Sequence, residues 1–347
     1  MIWIIATVFF SMASFLPLLD SQHWIIRIFD FIRLQLLAIL FLLLITRFFF
    51  VENIDSLEIS VVLLLILAIS YHLKIVFPYI PKFKKRLNSS AGNISLLSIN
   101  VMQKNKAFDK VKNTIQASDP DILFTMESDH RWEKGLATIE DNFKTIVRVP
   151  KDNRYGIHFY TKLEVKDYKV HYLISDEHPS IEARLLDKNN NEFIFWGIHP
   201  PPPSPTEKPT SKQKDAELMK VAKLISDIDL PVIVAGDFNN VCWSKVSKKF
   251  GKISKLKDAR INRGFYGTFP AGLSLLRFPI DLLFHSESVV IDKLEVLPPV
   301  GSDHLPLLSK FNIRSSTVES KNNISPELET EMNKIIKEGK KAAESEN

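Results

Sequence analysis

Several short stretches deliver acids, amides or histidines where apolar runs end. In Pro231-Val-Ile-Val-Ala-Gly236-Asp237-Phe238-Asn239 a strand-like run ends in glycine and then presents Asp237 and Asn239. Period-two alternation puts both on one face. A carboxylate and an amide so placed can hold a water and a phosphoryl oxygen together, although the same pair also suits an Asx turn closing the strand. Gly301-Ser302-Asp303-His304 stands immediately before the apolar run 305 to 311. Asp303 there suits a metal-ligating carboxylate and His304 an imidazole facing a scissile group; plain turn chemistry is the competing reading.

Glu127 ends the run 121 to 126, Asp281 lies inside Phe278-Pro-Ile-Asp-Leu-Leu-Phe284, and His199 closes Phe195-Trp-Gly-Ile-His199. Asp281 has apolar residues on both sides, so it needs a buried partner, and His304 is a suitable base. His199 taken alone fits a hydrogen-bonded core histidine as well as a site residue.

These residues need strands to hold them. Strand-like runs are expected at 94 to 101, 121 to 126, 144 to 149, 155 to 161, 180 to 187, 192 to 198, 231 to 236, 280 to 284, 289 to 296 and 305 to 311. Helices are expected at about 106 to 117, stopping before Asp119-Pro120, and at about 211 to 228, where Thr210 and Gln213 have capping-box spacing. Asn189-Asn190-Asn191 reads as a hairpin turn. Many strands with few helices predict an α/β protein, a four-layer α/β sandwich of two packed mixed β-sheets flanked by helices, over 94 to 314. No GxGxxG or Walker loop competes, and no repeat of fixed period occurs. The segment from 315 to 347 is polar and is expected to be a mobile tail, with a short charged helix available from Ser325 onward.

The chain has 347 residues, of which 45% are hydrophobic and 24% charged, and its mean hydropathy is zero. That value is high for a soluble chain because the apolar excess sits in the first 80 residues. Three runs, Ile2 to Leu19, Leu34 to Phe50 and Leu57 to Ile80, are each near the length of a membrane-crossing helix. The first lacks the basic start and small-residue cleavage site of a signal peptide. Residues 1 to 81 are therefore expected to form three transmembrane helices in the lipid bilayer, and 82 to 93 a basic and polar linker. Lys82, Lys84, Lys85 and Arg86 share a side with Arg27 and Arg33, so charge alone places the large domain in the cytoplasm.

The net charge of +5 is uninformative once divided. The first 87 residues hold 8 Lys/Arg and 5 Asp/Glu, leaving a nearly balanced 37 against 35. Bulk charge thus gives no support for a strongly electropositive groove for long nucleic acid. The single cysteine, Cys242, excludes an intramolecular disulfide framework and a zinc site built from several thiolates.

Taken together, Asn100 in Leu-Leu-Ser-Ile-Asn100-Val, Glu127 in Phe-Thr-Met-Glu127, His199 before four prolines, Gly-Asp237-Phe-Asn239, Ile-Asp281 and Ser-Asp303-His304 follow the order of the endonuclease/exonuclease/phosphatase superfamily. The resemblance covers about 94 to 312. The chain also resembles a bacterial membrane branch of that superfamily with three N-terminal spans. Asp30-Phe-Ile-Arg-Leu-Gln35, the His-Pro-Pro-Pro-Pro run at 199 to 203, and Trp243-Ser244 carry that likeness. The branch implies a multi-pass cell-membrane protein with its catalytic domain outside, opposite to the charge reading. The side stays open, leaning extracytoplasmic.

Carried over residue by residue, the resemblance implies that Glu127 and Asn100 hold a divalent metal, Mg²⁺ or Mn²⁺, with Asp303 nearby; hard oxygen ligands suit those ions. Asp237 would orient or deprotonate a water and Asn239 would bind a non-bridging oxygen. His304, oriented by Asp281, would contact the phosphate. His199 would do so from the other side, with Glu182 in Ser-Ile-Glu182-Ala-Arg as its orienting partner. The implied activity is hydrolysis of a phosphodiester or phosphomonoester, the substrate being nucleic acid, phospholipid or a small molecule. Near-neutral charge favours the smaller or lipid substrates. No obligate protein partner is implied. The alternative is a catalytically inactive, membrane-tethered binding domain of the same fold. Such loss shows as a replaced acid or histidine, and Glu127, Asp237, Asp281, Asp303, His199 and His304 are all present.

Overall fold

The computed structural model describes residues 1–19, 21–50, 55–82, 92–203, 209–314 and 324–345. Its strands are β1 (Ile94–Asn100), β2 (Ile122–Met126), β3 (Thr145–Val149), β4 (Ile157–Thr161), β5 (Glu164–Tyr172), β6 (Pro179–Leu186), β7 (Glu192–Ile198), β8 (Val232–Asp237), β9 (Lys257–Asp258), β10 (Asp281–His285), β11 (Val289–Val296) and β12 (Leu307–Ile313). The helices are α1 (Ile2–Phe15), α2 (Trp24–Phe31), α3 (Arg33–Phe50), α4 (Ser56–Val76), α5 (Phe108–Ser118), α6 (His130–Leu136), α7 (Lys212–Ser226), α8 (Lys245–Ser254) and α9 (Pro326–Glu344).

Two six-stranded sheets, ordered β11-β12-β1-β2-β4-β3 and β5-β6-β7-β8-β10-β9, pack face to face. Strand periodicity explains the layers. Ile94 and Leu96 of β1, with Ile233 and Ala235 of β8, point into the space between the sheets. The alternate residues Leu97 and Ile99 meet Val111 and Ile115 of α5 and Trp132 of α6, while Val232 and Val234 meet Leu218 and Val221 of α7 and Phe250 of α8. A strand covered on both faces reads as continuously apolar, as β1 and β8 do. The parallel pairs β1–β2 and β7–β8 are each joined through a helix, α5 or α7, as parallel neighbours require. The expected sandwich of two mixed sheets between helices is thus the observed fold.

Several expectations differ. β5 is an additional edge strand: it is largely exposed, and a register irregularity between Val165 and Asp167 puts Val165 out of step with the alternating Tyr168, Val170 and Tyr172. The anticipated Thr210–Gln213 capping box does not form. Ser211 is the N-cap residue of α7 and makes no side-chain cap; Thr210 instead pairs backbone to backbone with His23. The tail expected to be mobile contains α9, which buries Met332 and Ile335 in the cluster that also holds Leu218 and Val221 of α7. The amphipathic stripe of a polar helix was sufficient to dock it. Residues 83–91, within the expected linker, and 315–323 lie outside the described residues.

Of the three expected spans, one is a helix long and apolar enough to cross a membrane: Ser56–Tyr79, 24 residues. The second run qualifies only when α3 is taken with α2, which is bent from it by 66°, and the helix Ile2–Leu18 is shorter. α1, α3 and α4 pack on one another through Leu37, Leu40, Leu65 and Ala68, joined by Trp3 and Phe10. Their lower end meets the sandwich. The Trp243 indole donates to the Asp30 carbonyl at 2.7 Å, and the Tyr79 hydroxyl donates to the Cys242 carbonyl at 2.9 Å. Arg27 pairs with buried Asp215 of α7 at 3.0 Å.

Candidate active site

One edge of the sandwich collects the singled-out residues because strand direction brings them there. β1, β2, β7 and β8 all end at this edge, placing Asn100, Glu127, His199 and Asp237. β10 starts there, so Asp281 is the register partner of Asp237, and the loop before β12 supplies Asp303 and His304. At Gly236 the backbone has φ +144°, and a Cβ would stand 2.0 Å from the Ile198 carbonyl oxygen. Glycine is what allows β8 to lie this close to β7 just before Asp237. Glu127 and Asn239 themselves have positive φ, +58° and +47°, conformations that cost energy in non-glycine residues and concentrate at functional sites.

The Asn100 amide nitrogen donates both to Glu127 Oε1 at 3.1 Å and to Asp237 Oδ2 at 3.2 Å. The Asn100 amide orientation is fixed by the Met102 N–H, which donates to Asn100 Oδ1 at 3.0 Å. Glu127 Oε2 accepts from the Gln103 N–H at 3.0 Å. Asp237 Oδ1 accepts from the Asn239 N–H at 2.8 Å, and Asn239 Nδ2 donates to the Pro200 carbonyl at 3.0 Å. His304 Nδ1 lies 2.9 Å from Asp281 Oδ2, and His304 Nε2 lies 3.5 Å from Asp237 Oδ2. Ser302 anchors this loop: its hydroxyl donates to the Asn100 carbonyl at 2.7 Å and accepts from the His304 N–H at 3.0 Å.

Electrostatics follow from burial and neighbours. Burial pushes the Glu127 carboxyl above its usual range, against the pull of the Gln103 and Asn100 hydrogen bonds; Asp303 adds repulsion. Burial likewise raises Asp237, with His304 pulling it back. For His304, burial favours the neutral ring, but Asp281 and Asp237 outweigh it and favour the imidazolium. His199 goes the other way, held down to about 3 by burial and by His304, so it is neutral.

Glu182 is the residue that the structure removes. On β6 the residues Ile181, Ala183 and Leu185 face the inter-sheet core, which turns Glu182 to the opposite face. There its carboxylate meets His171 Nε2 at 2.8 Å, and His171 stacks on Trp196. His199 sits on the inward side, its Nδ1 without a hydrogen-bond partner among the described residues and its ring 5.4 Å from that of Tyr155. The remaining residues converge, and most line a cleft of about 720 Å³ with Glu127, His199, Asp237, Asn239, Asp303 and His304 in its wall. Gln103, Ser302 and Tyr155 were not expected from sequence. Gln103 contributes through its backbone, which no side-chain pattern announces; Ser302 stood inside the noted Gly-Ser-Asp-His stretch and could have been found there.

The ligand atoms of Asp237, Asp281 and His304 lie within 4.8 Å of one another, a buried cluster able to hold a metal ion. Glu127 Oε1, which shares the Asn100 amide nitrogen with Asp237, extends the donor set, whereas the Asn100 oxygen is turned to the Met102 N–H. Hard oxygens, and a glutamate raised by burial with a second acid beside it, are the surroundings that a divalent cation relieves.

A two-sheet sandwich with this edge defines a phosphoesterase-type fold. Residues 93–304 match the Endonuclease/Exonuclease/phosphatase family, and the chain belongs to it; the family's members are typically phosphodiesterases, nucleases or phosphatases. No curated protein matches. Solved structures share the fold at low identity. TDP2 of D. rerio complexed with a single-strand DNA product is 15% identical with a TM-score of 0.54, over 65% of this chain and 100% of that one. The human Nocturnin catalytic domain with bound sulfate is 18% identical at 0.52, over 63% and 94%. A functionally unknown conserved protein from Enterococcus faecalis V583 is 15% identical at 0.53, over 64% and 100%.

Proposed function

We propose that this chain is a membrane-anchored, metal-dependent phosphoesterase that hydrolyses a phosphodiester or phosphomonoester by in-line attack of water. The observation that carries the reading is the Asn100 amide bridging Glu127 and Asp237, beside the His304–Asp281 pair. Glu127, with Asp303 beside it, would hold Mg²⁺ or Mn²⁺, and Asn100 would join them by turning its amide oxygen from the Met102 N–H; the ion would neutralise charge on the phosphoryl oxygens. Asp237, raised by burial, accepts the proton of the attacking water. Asn239, positioned by the Pro200 carbonyl, donates to a non-bridging oxygen. His304, kept charged by Asp281, stabilises negative charge as the leaving oxygen departs. His199 acts as a neutral hydrogen-bonding group on the opposite side, without Glu182.

Residues 1 to 81 anchor the chain in the cell membrane as a multi-pass region, with the catalytic domain on the outer side. The apolar helix Ser56–Tyr79 and its packing with α1 and α3 support the anchoring; the side rests on the resemblance to the membrane branch alone. A reporter fused after α9 tests it. Alkaline phosphatase activity without green fluorescence is expected, the reverse places the domain inside, and extraction of the chain by carbonate refutes anchoring.

A further inference from the structure

The cleft is built asymmetrically and sits beside the membrane-proximal end of the helices. One part of its wall is polar, with Gln103 hydrogen-bonded to the Asp152 carbonyl and the Arg154 N–H and Lys104 next to it; another is apolar, with Phe31, Phe269 and Ile280 packed in one cluster. Phe31 is the last residue of α2, immediately before the 66° bend into α3. α2 is amphipathic across its width. Arg27 pairs with Asp215 and Asp30 with Arg33, whereas Ile25 and Ile28 stand 49% and 43% exposed. A short helix with one apolar face open and the other tied to protein lies naturally in the plane of a bilayer interface.

A second apolar feature lies at the same level. The loop before β10 exposes Leu273, Leu275 and Leu276, by 56%, 91% and 44%. Three leucines this open in one turn form a contiguous apolar patch rather than scattered surface residues. The Gln35 side chain, at the start of α3, donates to the Leu275 carbonyl at 3.3 Å, which fixes the loop beside the first turn of the membrane helix. The other end of the loop reaches the catalytic edge: the Ala271 N–H donates to the Asp303 carbonyl at 2.7 Å, and Phe269 packs on His304 with ring centroids 4.9 Å apart.

We propose that the site works at the bilayer surface on an amphiphilic phosphoester whose hydrocarbon tail stays in the membrane. The Leu273–Leu276 loop and the Ile25/Ile28 face of α2 seat in the interface, Phe31 and Phe269 pass the tail, and the Lys104/Arg154 wall receives the polar part. This rests on the membrane-anchored phosphoesterase reading and names its substrate class. A soluble nucleotide or nucleic-acid strand has no use for three leucines beside the mouth, and gains nothing from a cleft held against the membrane.

The test uses the full chain reconstituted in phosphatidylcholine vesicles and two esters with one reacting centre, p-nitrophenyl hexadecyl phosphate and p-nitrophenyl methyl phosphate. The hexadecyl ester is expected to be hydrolysed at least about tenfold faster, and a variant with Leu273→Ser, Leu275→Ser and Leu276→Ser to lose that preference while its rate on the methyl ester is unchanged. Independently, a bimane label on Leu275→Cys should be quenched by doxyl-labelled lipid, whereas a label on Asn189→Cys, at the opposite edge of the sandwich, should not. Equal rates on the two esters, a preference that survives the triple substitution, or an unquenched label at 275 overturns the inference while leaving phosphoesterase activity standing. Failure to hydrolyse either ester overturns the underlying reading and this inference with it.

Discussion

His304 Nδ1 and Asp281 Oδ2 lie 2.9 Å apart, both side chains buried, and His304 Nε2 faces Asp237 at 3.5 Å. Asp281 therefore acts through His304. We expect Asp281→Asn and His304→Ala each to lower turnover by about 10² at saturating metal, and the double variant to be little worse than His304→Ala alone. Additive effects in this cycle would show the two to be uncoupled. The pH profile gives a second check. Burial lowers the His304 pKa and Asp281 raises it, so removing the Asp281 charge lets the imidazolium lose its proton at lower pH. The alkaline limb of the activity profile should move down in Asp281→Asn.

Glu127 occupies a left-handed backbone position and is held by Gln103 and Asn100. Its role is to bind the cation, so Glu127→Ala should raise the metal concentration needed for half-maximal activity by about tenfold to a hundredfold, on the scale of ligand and supporting-shell losses. Activity should return in part at high Mg²⁺ or Mn²⁺. A metal titration unchanged in midpoint but reduced in plateau would assign Glu127 elsewhere.

Asp215 joins the helical region to the sandwich. It accepts from Arg27 at 3.0 Å, from Lys214 at 2.8 Å and from Ser211 at 2.8 Å, and both Asp215 and Lys214 are about 1% exposed. Asp215→Ala leaves two cations without their carboxylate, and loss of a buried partner costs about 3–5 kcal/mol. Thermal unfolding in detergent should shift down markedly, whereas the double variant Arg27→Met, Asp215→Leu should recover part of the loss.

What sequence alone could show depended on whether a residue's partner was near in the chain. β8 and its Asp237 were legible because an apolar run ending in Gly-Asp-Phe-Asn encodes its own strand and terminus. Asp281 was legible because a carboxylate between apolar neighbours demands a buried partner, and the partner proved to be His304. Glu182 failed on strand parity: Ile181 and Ala183 claim the inner face, so Glu182 and the His199 side of the cleft lie on opposite faces of one sheet. β5 is hard to read from sequence because the irregularity after Val165 breaks its alternation and its outer positions are charged. α9 reads as a tail because its docking stripe, including Met332 and Ile335, is narrow within a charged helix. The link between Asp30 and Trp243, two motifs separated by 213 positions, is a tertiary contact for which neither local pattern holds any sign.

Metal-dependent phosphoester hydrolysis at the Asn100, Glu127, Asp237 and His304 edge underlies the catalytic expectations above. The most direct measurement is hydrolysis of bis(p-nitrophenyl) phosphate by the full chain in detergent, after exhaustive chelation and again after adding Mg²⁺ or Mn²⁺, with His304→Ala alongside. No turnover is expected after chelation, with recovery on adding either ion and a loss of about 10² in the variant. Full activity in the chelated protein, or equal activity in His304→Ala, would contradict it.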